Sequence, residues 1–159
     1  MKKTSIYIHS DIKSIRASEG LGAYMFAWTK PDGTPGTMVR LCKLNTTAVL
    51  SWIALMAAAF EHLSRWKEPC EVEVYAGSQQ AVMAVDQWIP QWSTNGWINA
   101  KGEPVNAWYK ELAMHMTGHV VHCTTQKGEY SSWLETNMKH TRGDKACLIS
   151  LESLTAQKS

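Results

Sequence analysis

Histidine and cysteine gather near residue 120 as His115, His119, His122 and Cys123. Imidazole and thiolate are zinc donors, so the residue types are those of a zinc site. The spacing argues against a shared ion. His115 falls at the end of a helical run, while His119 and His122 fall on a strand-like one, where residues three apart point to opposite faces. Cys123 with His9 has the residue types of a nucleophile and its base, and the order of elements would set the two on neighbouring strands; nothing else in the sequence supports the pair. The four cysteines, Cys42, Cys70, Cys123 and Cys147, include no C-x-x-C spacing and read as buried or incidental reduced thiols. Glu71 and Glu73 share one face of a strand, which simple alternation explains. Trp88, Trp92 and Trp97 could stack on nucleobases or pack a helix onto the body.

These residues need elements to position them. Ser5–Ile8 reads as a first strand, Gly22–Thr29 as a second and Thr37–Leu44 as a third. The turns at Pro31-Asp32-Gly33 and Pro35-Gly36 make the last two an antiparallel hairpin. Asn45, Thr46 and Thr47 offer N-caps to a helix from Ala48 to Trp66, apolar all round between Val49 and Phe60 and stopped by Pro69; it should be central and buried. Glu71-Val72-Glu73-Val74-Tyr75 alternates as a fourth strand. A short helix runs from Gly77-Ser78 through Asp86. The Trp-rich segment from Gln87 to Trp97, interrupted at Pro90 and Asn95-Gly96, comes next, and then a loop through Pro104. Asn106–Met116 is helical with Gly118 as C-cap, His119–Cys123 is a fifth strand, Lys127-Gly128 a turn, and a last helix starts near Tyr130. Strand–helix–strand crossovers appear twice, so the expectation is an α/β fold with a five-stranded mixed sheet flanked by helices.

At 159 residues the chain suits one domain, 1–145, with 146–159 as a C-terminal tail. A net charge of +2 gives no sign of a strongly basic nucleic-acid-binding surface. The longest apolar run, Trp52–Phe60, is too short to span a bilayer, and the first residues lack the apolar stretch of a signal peptide. A cytoplasmic location is expected.

Four local segments make the chain resemble type 1 ribonuclease H across roughly residues 5 to 140. They are Ile6-Tyr7 followed by Gly20-Leu21-Gly22-Ala23; Leu55-Met56-Ala57-Ala58; the run Cys70-Glu71-Val72, Ser78-Gln79, Gln87-Trp88-Ile89, Trp92, Gly96-Trp97 and Pro104-Val105; and Lys127-Gly128. The resemblance implies a ribonuclease H-like fold and cleavage of the RNA strand of an RNA–DNA hybrid by two divalent metals, which need several carboxylates. It also implies where those carboxylates should stand. His9 occupies the position after the first strand, with Asp11 two residues on. Leu55, or Ala54, occupies the first-helix position, and Gly77 that at the end of the fourth strand. Glu135 or Thr141 occupies the last-helix position, and Glu129 replaces a mobile histidine. From Gln91 to Ala107 only Lys101 is basic, where the family's protruding segment is rich in cations.

The reading that follows is a ribonuclease H-like pseudoenzyme with no metal or other cofactor, serving as a nucleic-acid-binding or scaffolding module for a hybrid or a single strand. Its contacts would be Trp92, Trp97, Lys101 and Lys127. One alternative is an active Mg²⁺- or Mn²⁺-dependent endonuclease with a site rebuilt from Asp11, Glu129 and Glu135. Another is a protein-interaction module using the Trp-rich protrusion, with no nucleic-acid role.

Overall fold

The computed structural model describes residues 1–140 and 148–150. Three strands open the chain: β1 (Lys2–Ser10), β2 (Ser18–Thr29) and β3 (Pro35–Thr46), an antiparallel meander. A helix, α1 (Ala48–Ser64), crosses to β4 (Cys70–Ala76), which pairs parallel with β1. Helices α2 (Gln79–Met83), α3 (Ile89–Asn95) and α4 (Ala107–Met116) then lead to β5 (Val120–Thr124), parallel to β4. The last helix is α5 (Ser131–His140). The expected five-stranded mixed sheet is present. A sixth, three-residue strand, β6 (Leu148–Ser150), adds a parallel edge to β3, giving the order β5-β4-β1-β2-β3-β6. That edge falls in the stretch assigned to a tail; the rest of 146–159 lies outside the described residues.

The strands are longer than their apolar cores suggest, because hydrogen bonding continues into polar residues such as Lys2 and Thr46. Two layers of side chains hold the sheet. On one face Ile6 and Ile8 of β1, Val72 and Val74 of β4, and Cys42 and Leu44 of β3 meet α1 and α4. Residues Ile53–Ala57, with Ala59, Phe60 and Leu63, are buried, as the all-round apolar pattern requires. Thr47 caps the helix by accepting from the Leu50 N–H. On the other face Tyr7, Ala23, Met25 and Leu41 are covered by Leu134 and Met138 of α5.

Pro90 does not interrupt the Trp-rich segment. The chain stays helical from Gln79 to Asn95, passing through a π-helical turn at Ala84–Trp88. Pro90 lacks an N–H and its ring excludes the carbonyl four residues back, so a widened turn just before it accommodates the defect. Gly96, at φ 83°, ends the helix in the left-handed region, and Trp97 follows at φ 67°. The Trp97 conformation is strained by about 1–3 kcal/mol. It is held by the Trp97 N–H donating to Trp92 and by Val105 donating to the Trp97 carbonyl. Among the described residues no helix is long and apolar enough to cross a membrane.

Candidate functional site

The C-terminal ends of β1 and β4 lie side by side. Their parallel register pairs Ile8 with Ala76, so His9 and Gly77 are the next step on both strands. A third residue arrives from the first turns of α1. The ring of Trp52 meets the His9 imidazole edge to face, with centroids 6.1 Å apart at 87°. The same ring covers Gly77, since a Cβ built there would stand 3.5 Å from Trp52 Cη2. Trp52 and His9 are both half-buried. Below them Ser10 and Ser51 share a 2.6 Å hydrogen bond, and Ser51 also donates to the Ala48 carbonyl, tying the start of α1 to the end of β1.

The other expected first-helix positions point elsewhere. Leu55 and Ala54 are fully buried, and the Leu55 methyl packs where a side chain on Gly22 of β2 would stand. Trp52, one helical turn before Leu55, reaches this end of the sheet beside Ser51. The sequence reading turned on Trp88, Trp92 and Trp97; the signal for Trp52 was its place one turn ahead of the matched Leu55.

The acidic residues do not converge on this end. Asp11 Oδ1 accepts from the Leu21 N–H at 2.8 Å, while the Asp11 N–H donates to the Leu21 carbonyl, so this carboxylate closes the loop between β1 and β2. Glu135 pairs with Lys127 at 3.9 Å, both well exposed. Glu129 is exposed beside the turn. Thr141 lies outside the described residues. Among the described residues no three His, Cys, Asp or Glu side chains come together in a way that could hold a metal ion. A two-metal centre needs hard oxygen donors on both sides of the ions. An imidazole, an indole and a bare glycine at the strand ends do not fit it.

The turn after β5 is built on tyrosines. Tyr7 and Tyr75 stack at 4.7 Å and 14°, with Tyr130 edge-on to Tyr7 at 5.7 Å. A Cβ on Gly128 would fall 2.7 Å from the Tyr75 ring and 2.9 Å from Tyr7, so only glycine lets the Lys127–Glu129 turn lie on that stack. Burial pushes the Tyr7 hydroxyl pKa up.

The Trp-rich protrusion is packed. Trp92 stands edge-on to Tyr109 of α4 at 5.0 Å and tilts against Trp88 at 6.0 Å. Trp88, Trp92 and Trp97 all lean on the main core. Lys101 is exposed in the following turn. The histidines near residue 120 also separate. His119 precedes β5, accepts from the Cys70 N–H at 3.0 Å and lies against Phe60; burial lowers its pKa. His115 pairs with Glu111 at 3.4 Å on α4. The suggested Cys123–His9 pair is split by β4, which lies between β5 and β1, and burial pushes the Cys123 thiol up to about 12.

No protein-family model matches the chain. A ribonuclease H of Cupriavidus pinatubonensis is 40% identical over 105 residues, spanning 66% of this chain and 67% of that protein. The chain belongs to the ribonuclease H family. Other ribonucleases H match over shorter stretches, 42% of the Geotalea uraniireducens protein and 59% of the Legionella pneumophila one. Among solved structures, LC9-RNase H1, a type 1 RNase H with the type 2 active-site motif, superposes with a TM-score of 0.75 at 15% identity, covering 91% of this chain and 74% of that one. The foamy viral protease-reverse transcriptase in complex with RNA/DNA hybrid gives 0.59 at 14% identity, covering 99% of this chain and 20% of that one. These two likenesses show the fold.

Proposed function

We propose that this chain is a non-catalytic member of the ribonuclease H family that binds nucleic acid, an RNA–DNA hybrid or a single strand, without cutting it. The observation that carries the reading is the Trp52 ring lying over Gly77 and against His9. Carboxylates and bound cations would have to occupy that space. Fold and reaction are separable, and a repacked site on an intact scaffold is how they part. A nucleic-acid partner is supported by the fold relative seen with an RNA/DNA hybrid. The packed state of Trp92 and Trp97 moves the expected contacts off the protrusion and onto the sheet end, where Trp52 and His9 present partly exposed rings.

The test is a labelled RNA–DNA hybrid incubated with Mg²⁺ or Mn²⁺, alongside a binding titration at low and at moderate salt. The expected result is no cleavage and binding that weakens with salt. Metal-dependent cleavage that disappears in Glu135→Gln would restore the nuclease reading. No binding at low salt would favour the protein-interaction reading.

A further inference from the structure

About 20 Å from Trp52, at the other end of α1 (1.5 Å of rise per residue), positive charge collects in excess. The alternation of β3 that sends Met38, Cys42 and Leu44 toward α1 sends Arg40 the same way. Arg40 is paired in register with the buried Tyr24 of β2. The Tyr24 hydroxyl meets His62 Nδ1 at 3.2 Å. Arg65, which caps the C-terminus of α1, follows His62 by three residues and so lies on its side of the helix. Phe26 and Trp66 wall the cluster, with Phe26 5.5 Å from both the His62 and the Trp66 rings.

The charged groups that act on His62 are Arg65, Arg40 and the exposed Glu61. Two guanidiniums therefore face one carboxylate. Among the described residues, no carboxylate lies within 4.0 Å of either arginine. Burial first, then Arg65 and Arg40, keeps the His62 pKa below its ordinary value. A cation near a helix C-terminus is favoured by the helix dipole, which accounts for Arg65. It does not account for Arg40, a half-buried charge on the core-facing side of a strand. Lys2 is not part of the cluster, being engaged by Glu68 and the face of Trp66.

We propose that Arg40 and Arg65, with the Tyr24 hydroxyl and the His62 ring between them, form a binding site for a phosphate group. The planar fork of arginine suits a tetrahedral oxyanion, and the aromatic wall lowers the local dielectric that strengthens the pairing. The phosphate is either one of a nucleic-acid backbone or a free phosphomonoester. The site rests on residues remote from Trp52 and stands whether or not the domain cuts a hybrid.

The experiment is an NMR titration of the whole chain with inorganic phosphate against chloride at matched ionic strength, following the His62 ring and the Arg65 side chain. Saturable shifts and a rise in the His62 titration midpoint are expected. Arg40→Gln with Arg65→Gln should abolish saturation, and Arg40→Lys with Arg65→Lys should weaken binding about tenfold, since lysine keeps the charge and loses the fork. A linear or absent response of the unaltered chain overturns the site, as does saturation that survives the double glutamine variant. Oligonucleotides of one length, with and without a 5′-phosphate, identify the source. Equal displacement of bound phosphate assigns the backbone diester, and displacement by the phosphorylated one alone assigns a monoester; either supports the site.

Discussion

If the Trp52 ring is what excludes a carboxylate at the end of β4, the two positions must be energetically coupled. A Cβ at 77 stands 3.5 Å from Trp52 Cη2, an ordinary contact, and Gly77 is not among the residues with left-handed backbone. Gly77→Ala should therefore leave stability within about 0.5 kcal/mol, since alanine adds no atom past that contact. Gly77→Asp adds a carboxyl carbon about 1.5 Å further out, with two oxygens beyond it. Either the ring moves or the carboxylate turns aside, at a cost of about 1–3 kcal/mol for overpacking. Trp52→Ala removes a half-buried indole, costing about 2 kcal/mol, and opens the space. In the double variant most of the aspartate penalty should vanish, a coupling of about 1–2 kcal/mol. Urea unfolding of the four proteins measures it. A coupling below about 0.5 kcal/mol, or an alanine as costly as the aspartate, would refute the idea that the indole fills the site.

Other perturbations address the neighbouring structure. Gly128→Ala drives a methyl into the Tyr7–Tyr75 stack and should lower stability by about 1–3 kcal/mol, seen as a reduced melting temperature. Trp92→Ala should cost about 2 kcal/mol by urea unfolding and leave nucleic-acid affinity unchanged; lost affinity at unchanged stability would mark Trp92 as a stacking surface. His62 and His119 have pKa values lowered chiefly by burial. Below the unfolded value of 6.5 the unfolded chain therefore binds protons that the folded one does not, and stability falls as pH drops through that window. The alkaline limb has the opposite sign. Burial raises Cys42 to about 12 against 9.0 unfolded, so above pH 9 stability is lost as pH rises. The loss is up to about 1.4 kcal/mol per pH unit, and Cys42→Ala should flatten that slope in urea midpoints.

The fold was legible because its signals are redundant. Alternation in Glu71–Tyr75, the apolar sweep from Ile53 to Phe60 and the turn at Pro31-Asp32-Gly33 each specify their element from local residues alone. What local residues could not specify was cooperative. Pairing with β4 carries β1 back to Lys2, and pairing with β3 gives Leu148–Ser150 a place in the sheet that its own composition does not announce. Pro90 looked like a helix stop because the rule for proline assumes a missing α-helical bond; a widened turn before it satisfies the same constraint differently.

The site was legible in one dimension only. The resemblance implies oxygen ligands where His9 and Gly77 stand, and register puts those two residues side by side. What replaced them was not visible, because Trp52 is separated in sequence from both and matches no position that the family's chemistry names. A glycine at 77 leaves room that water would otherwise fill; an indole covers it and gains dispersion contact with the imidazole of His9. With the ring seated, an aspartate at 77 must either displace it or turn its carboxylate aside. Restoring the acidic residues one at a time should therefore fail to restore metal binding, and a calorimetric titration with Mn²⁺ should show heat only when Trp52→Ala accompanies Gly77→Asp and His9→Asp. Heat from Gly77→Asp and His9→Asp with Trp52 in place would mean that the indole yields, and that the missing carboxylates alone account for the loss.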